Sequence, residues 1–146
     1  MARFIRSLIG YNDPIEIPWR VAASQTINEG DLVEIDATTR YLKSAVAAST
    51  TLAGIAQQSI TTGATVTADD KITILPITDV VIRVDYTGAT KTSLADTDLA
   101  TTKFDLSNPT TIDLDATTGM CTVVGYDNTR KTADVIIADA NIVKIG

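Results

Sequence analysis

The phrase Asp-Ala-Thr-Thr occurs twice in this chain, each time between stretches that alternate apolar and polar residues. Asp36-Ala37-Thr38-Thr39-Arg40 follows Val33-Glu34-Ile35, and Asp115-Ala116-Thr117-Thr118-Gly119 follows Ile112-Asp113-Leu114. Alternation with period two places successive side chains on opposite faces of a strand. Asp accepts main-chain hydrogen bonds in tight turns, and Thr suits strand ends. Each copy therefore predicts a β-hairpin: Leu32–Ile35 with Tyr41–Ala45, and Thr111–Leu114 with Met120–Tyr126. A third hairpin turn is written at Asp127-Asn128-Thr129-Arg130-Lys131, ahead of a strand at Ala133–Ala138.

The same reading places strands at Ile15–Val21, Leu52–Ala56, Lys71–Ile77, Asp79–Tyr86, Phe104–Leu106 and Ile142–Ile145. Pro18 marks the first of these as an edge strand, because proline gives no N–H to a ladder. Pro76 and Thr78-Asp79 mark a break between the two strongest strands, and Asn28–Asp31 is a turn. Leu94–Leu99 suits a helical turn or two. About ten short strands with regular turns predict an all-β fold, a compact sandwich or barrel. Composition agrees, since 45% of residues are hydrophobic but only 5% aromatic. Small and β-branched residues pack well between sheets. A length of 146 residues suits one domain. The division predicted is an arm with an edge strand over residues 1–20, then a single β-domain over 21–146.

Residues 1–13 read as an extended or weakly helical arm. Phe4, Ile5, Leu8 and Ile9 fall at helical spacing, yet a helix of two turns is marginal in water. An apolar arm beside Arg3 and Arg6 is ordered only when something covers it: a partner surface, or the chain's own sheet. Trp19, the only tryptophan, is an interface anchor or a plug at one end of the barrel.

The chain contains no histidine and a single cysteine, Cys121. That removes the commonest general base, the usual catalytic triads and the Cys/His type of structural zinc site. Cys121 lies in an apolar strand and reads as a small core residue, with no intrachain disulfide open to it. Asp96, Asp98 and Asp105 form a loose acidic group without the glycine-bearing, Glu-ended loop that calcium sites use. The glycines are dispersed and make no phosphate-cradling loop. No catalytic residue, cofactor or metal is expected, and the chain does not read as an enzyme.

A formal charge of −6 repels phosphate backbones, and no basic patch is interleaved with aromatics, so nucleic acid is not an expected partner. No stretch approaches the roughly 18 apolar residues of a membrane helix. The apolar run at residues 4–9 is too short for a signal peptide, so the chain reads as soluble and uncleaved, with no membrane partner.

The order of phrases Gly30-Asp31-Leu32-Val33-Glu34-Ile35-Asp36, Leu52-Ala53-Gly54-Ile55-Ala56 and Ile72-Thr73-Ile74-Leu75-Pro76 resembles the capsid cement, or head decoration, proteins of tailed bacteriophages. Phe104-Asp105-Leu106, the Asp-Ala-Thr-Thr-Gly segment, Val123-Val124-Gly125-Tyr126-Asp127 and Ala133-Asp134-Val135-Ile136-Ile137 extend the likeness over most of residues 28–146. The arm and Trp19 lie outside it. The resemblance implies a homotrimer on the outer surface of the virion head, made in the host cytoplasm. Its partners would be the major capsid protein and copies of itself. An N-terminal arm that adds a strand to the shell would make Arg3, Phe4, Ile5, Arg6, Leu8, Ile9 and Trp19 the docking residues. The alternative is a tail or baseplate β-domain that binds a host receptor or glycan, with Tyr41, Tyr86 and Tyr126 as its candidate aromatics.

Overall fold

The computed structural model describes residues 1–9 and 15–144. Residues 10–14, which include the end of the expected arm, and 145–146, which include the end of the expected last strand, lie outside the described residues. The chain is all-β. Strands β2 (Ile17–Arg20), β4 (Leu32–Ile35), β5 (Leu42–Ser44), β6 (Leu52–Ala56) and β8 (Lys71–Pro76) form an antiparallel sheet ordered β2-β8-β6-β4-β5. Strands β1 (Arg3–Ser7), β9 (Val80–Thr87), β10 (Lys103–Asn108), β11 (Thr111–Asp113), β12 (Cys121–Asp127) and β13 (Thr132–Ile137) form the second sheet. A ribbon of β3 (Thr26–Ile27) and β7 (Ile60–Thr61) completes the set.

The second sheet closes on itself. β13 pairs with Ile82–Asp85 of β9 along one edge, while β1 and β11 share the other edge at 80–83 and 85–87. The ring β9-β11-β10-β12-β13 is thus a small barrel, with β11 parallel to β9, and β1 extends it beside the first half of β9. Phe104, Leu106, Ile112, Val123, Val135 and Ile82 fill its interior. The chain crosses from one sheet to the other at the predicted break, where Asp79 adopts φ 53°.

Strands β4 and β6 serve two cores, and their pairing shifts register between Val33 and Glu34. Leu32, Leu52 and Ile55 pack toward the barrel, whereas Val33, Ile35, Ala53 and Ala56 face a second core with Val21, Ile27, Leu42, Ile72 and Ile74. Burial on both faces explains why β4 and β6 carry no exposed position. Glu34 is the one acid within them, and Lys43 across the β4–β5 pair holds it at 3.0 Å.

The two Asp-Ala-Thr-Thr segments do different things. In the first, Asp36 Oδ1 accepts N–H bonds from Thr38 and Thr39 within its own turn, and the chain reverses through Arg40 at φ 63° into the predicted β4–β5 hairpin. The second is not a hairpin turn, and this corrects the expectation. β10 lies between β11 and β12, so the strands on either side of Asp115–Gly119 are not neighbours. The segment crosses the end of β10, where Gly119 N–H donates to Lys103 O at 2.9 Å and Asp105 N–H to Ala116 O at 3.1 Å. The Asp115 carboxylate faces a different loop and accepts N–H bonds from Ala89, Thr90 and Lys91. The expected last strand also differs: Ile142 makes only an isolated parallel bridge to Leu52.

Candidate interaction surface

The arm runs as strand β1 along its own sheet, from Arg3 to Ser7. Main-chain acceptors in two turns pin its ends. Ala2 N–H donates to Gly30 O at 2.8 Å, and Leu8 N–H donates to Asp79 O at 2.7 Å. Gly30 sits at φ 88°, and a Cβ there would overlap the Met1 side chain, so the Asn28–Asp31 turn is shaped as a seat for the strand. Ala2 is buried and Phe4 packs on the barrel core.

A bulge between Phe4 and Arg6 sets what the strand shows to solvent. Arg3 pairs with Arg83 and Phe4 with Ile82, but Arg6 pairs with Val81, so Ile5 is an extra residue. An inserted residue re-aims the side chains that follow it. Arg3, Ile5 and Arg6 are consequently all exposed, as are Leu8 and Ile9 beyond the strand. The helical spacing of Phe4, Ile5, Leu8 and Ile9 is not used: Phe4 turns inward while the other three turn outward. Among the described residues β1 pairs only with β9, so its far main-chain edge carries no strand. That side borders a cleft of about 190 Å³ lined by Arg3, Phe4, Gln57 and Leu75.

The outer face of the barrel beside β1 is concave. A groove of about 520 Å³ runs over Arg3, Arg83, Asp134, Tyr126 and Arg130. Arg83 grips Asp134 with two hydrogen bonds, Nε to Oδ1 at 2.7 Å and Nη2 to Oδ2 at 2.9 Å, and this contact raises the arginine above its ordinary pKa. Tyr126 Oη donates to Asp96 Oδ1 at 2.8 Å, which holds the phenol proton more tightly than usual. Polar contacts within the chain thus already occupy most of the groove's charged groups.

Trp19 belongs to the other sheet. It packs against the second core and its Nε1 donates to Arg40 O at 2.8 Å. Beside it the Arg20 guanidinium lies 4.4 Å from the centre of the Tyr41 ring. Trp19 is half-buried against the second core and not at an end of the barrel, and the fold does not join it to the β1 surface. Of the three candidate tyrosines, Tyr86 is buried with its hydroxyl on Asn128 Oδ1 at 2.6 Å, and Arg20 covers Tyr41.

No family model matches this chain, and comparison with curated proteins finds no match.

The remaining chemistry-bearing residues go separate ways. Burial pushes the Cys121 thiol up to about 12, with the Asp105 charge adding to the effect. Burial also works to raise Asp98, but the Ala95 N–H and the Lys91 ammonium outweigh it and hold the carboxyl below its usual range. Asp96 is held by Tyr126, and Asp105 accepts the Ala48 N–H at 3.2 Å. Among the described residues no three His, Cys, Asp or Glu side chains converge on a metal-sized site. Among the described residues no helix is long and apolar enough to cross a membrane.

The seven residues singled out in the sequence are thus split. Arg3, Ile5, Arg6, Leu8 and Ile9 form one exposed surface; Phe4 and Trp19 anchor two different cores. Sequence reasoning missed Gly30 and Asp79 as the acceptors that seat the strand, although the turn at Asn28–Asp31 was legible. It missed the Ile5 bulge altogether, because register belongs to the pairing with β9 and leaves no local signature.

Proposed function

We propose that this protein is a structural subunit of a virus particle: a capsid cement, or head decoration, protein on the outer surface of a tailed-bacteriophage head. It would stabilise contacts between major capsid subunits and work without a catalytic group, cofactor or metal. The observation that carries the reading is the far edge of β1, a strand edge unpaired among the described residues and flanked by exposed Ile5, Leu8 and Ile9. An exposed edge is a template for another chain, and proteins that do not use one usually cover or shorten it. Strand addition gains main-chain hydrogen bonds worth roughly 0.5–1.5 kcal/mol net each. The likeness of residues 28–146 to cement proteins supports the same role. As a homotrimer the protein would present three such edges, so weak single contacts would add up to lasting attachment.

The test is co-sedimentation with purified heads, together with light scattering of the free protein. Ile5→Asp with Leu8→Asp changes two exposed side chains and leaves Ala2 and Phe4 in the core, so the body stays folded. Wild type is expected to sediment with heads and to scatter as a trimer, and the double variant to lose the heads. Undiminished binding by the double variant would overturn the β1 surface. A monomer with no affinity for heads would overturn the whole reading.

A further inference from the structure

We infer that the free edge of β1 is built for an extended segment of a different protein, one that carries two carboxylates two residues apart. This deepens the docking role proposed for β1 and rests on it. In a regular strand, residues three apart point to opposite faces. Arg3 and Arg6 would then be divided, one toward the core and one toward solvent. The bulge at Ile5 removes that division: their partners on β9 are Arg83 and Val81, two positions apart, and both arginines stand exposed on the same side.

Among the described residues neither Arg3 nor Arg6 has a carboxylate within ion-pair distance. The two arginines that line the groove with Arg3 do, Arg83 on Asp134 at 2.7 Å and Arg130 near Asp127 at 3.8 Å. The chain carries 18 acidic and 12 basic side chains. Two neighbouring arginines with no acid on them among the described residues are conspicuous in so acidic a molecule.

The arrangement disfavours β1 of a second copy as the occupant. Antiparallel pairing of two β1 edges would set one arginine row against the other, and like charges directly opposite destabilise a strand pair. An unbulged strand with acids at positions i and i+2 presents both on one face, with the spacing that β9 imposes on Arg3 and Arg6. Cross-strand pairs of opposite charge favour that register, and Ile5 and Leu8 offer apolar contact alongside. The two arginines also reject basic segments, which gives the edge selectivity beyond its main-chain hydrogen bonds.

The probe is a dye-labelled heptapeptide, Thr-Val-Glu-Val-Glu-Val-Thr, and its counterpart with both Glu changed to Lys. Binding to the isolated full-length protein is followed by fluorescence anisotropy, with amide exchange across residues 3–7 read in parallel. The Glu peptide is expected to bind and to slow exchange in β1. Its affinity should fall roughly tenfold between about 50 and about 300 mM salt, as screening shortens the reach of the charges. Arg3→Glu with Arg6→Glu should invert the preference, losing the Glu peptide and gaining the Lys peptide. Equal binding of both peptides by wild type, no binding at about 1 mM, or binding without protection at residues 3–7 would each overturn the inference. So would self-association of wild type that the double reversal abolishes. Co-sedimentation with heads separates this claim from the one it rests on. Head binding without peptide selectivity leaves the cement role standing and removes the acidic segment; peptide selectivity without head binding does the reverse.

Discussion

The two Asp-Ala-Thr-Thr segments invite an exchange of their fifth residues, and the structure dictates an unequal result. At Gly119 a Cβ would come within 2.3 Å of the Asp105 Cα and N and 2.4 Å of the Phe104 carbonyl carbon. All three are main-chain atoms of β10, beside the fully buried Phe104 side chain, and cannot rotate away. Gly119→Ala must therefore push the crossing segment off β10. Forced overpacking costs about 1–3 kcal/mol. The hydrogen bonds Gly119 N–H to Lys103 O and Asp105 N–H to Ala116 O are strained by the same movement. Each contributes about 0.5–1.5 kcal/mol, which brings the loss to between about 2 and 6 kcal/mol. That is a large share of the roughly 5–15 kcal/mol that holds an ordinary domain folded. At about 2–4 °C per kcal/mol, the melting temperature should drop by roughly 4–24 °C. Arg40 occupies the matching place in the first segment but at φ 63°, where a side chain is itself the source of strain. Arg40→Gly relieves about 1–2 kcal/mol of left-handed strain, and the greater freedom of glycine in the unfolded chain offsets about 0.5–1 kcal/mol of that. The net change lies between neutral and stabilising by about 1.5 kcal/mol. Urea unfolding measures both variants, with far-UV circular dichroism for the strands and Trp19 fluorescence for the second core. The two signals should move together, because β4 and β6 belong to both cores. Gly119→Ala within about 0.5 kcal/mol of wild type, or Arg40→Gly as costly as Gly119→Ala, would refute the account of the two segments.

Two further outcomes follow from the charges and the thiol. Asp36, Asp98 and Asp115 are all held below the ordinary carboxyl pKa of 3.8, Asp36 and Asp115 chiefly by main-chain N–H groups, and Asp98 by the Ala95 N–H and Lys91 against its burial. Below that value the unfolded chain binds more protons than the folded one. Their stabilisation is thus complete above about pH 5 and lost as pH falls through 3.8 toward the folded values. Urea midpoints between pH 6 and pH 2.5 check this, and Asp98→Asn should flatten part of the acid limb. The Cys121 thiol, buried and pushed up to about 12, should ignore an aromatic disulfide reagent at pH 8 until urea unfolds the chain; rapid labelling of the native protein would contradict its place in the core.

Much of the fold was legible because it is local. The β4–β5 and β12–β13 hairpins, the edge position of β2 with Pro18, the break before β9 and the burial of β6 all follow from period-two alternation and turn chemistry. The candidate surface was legible in its composition, since Arg3, Ile5, Arg6, Leu8 and Ile9 stood out as apolar and basic residues with no evident cover. Its geometry was not. Whether residues 3–7 formed a helix or a strand depended on the edge that β9 offered, and only pairing along that edge could place the extra residue at Ile5.

Sequence by itself determined that this polypeptide would be β-rich, poor in catalytic side chains and punctuated by aspartate turns, because each of those properties rests on neighbours a few residues away. Tertiary structure decided that the first Asp-Ala-Thr-Thr segment would close a hairpin while the second bridged over β10. It also decided that Phe4 and Trp19 would pack, half-buried, against two different cores and that two arginines would share one face. Each of those outcomes turns on which strand lies alongside, and the aspartate carboxylates bind the N–H groups the fold brings to them, those of its own turn for Asp36 and those of residues 89–91 for Asp115.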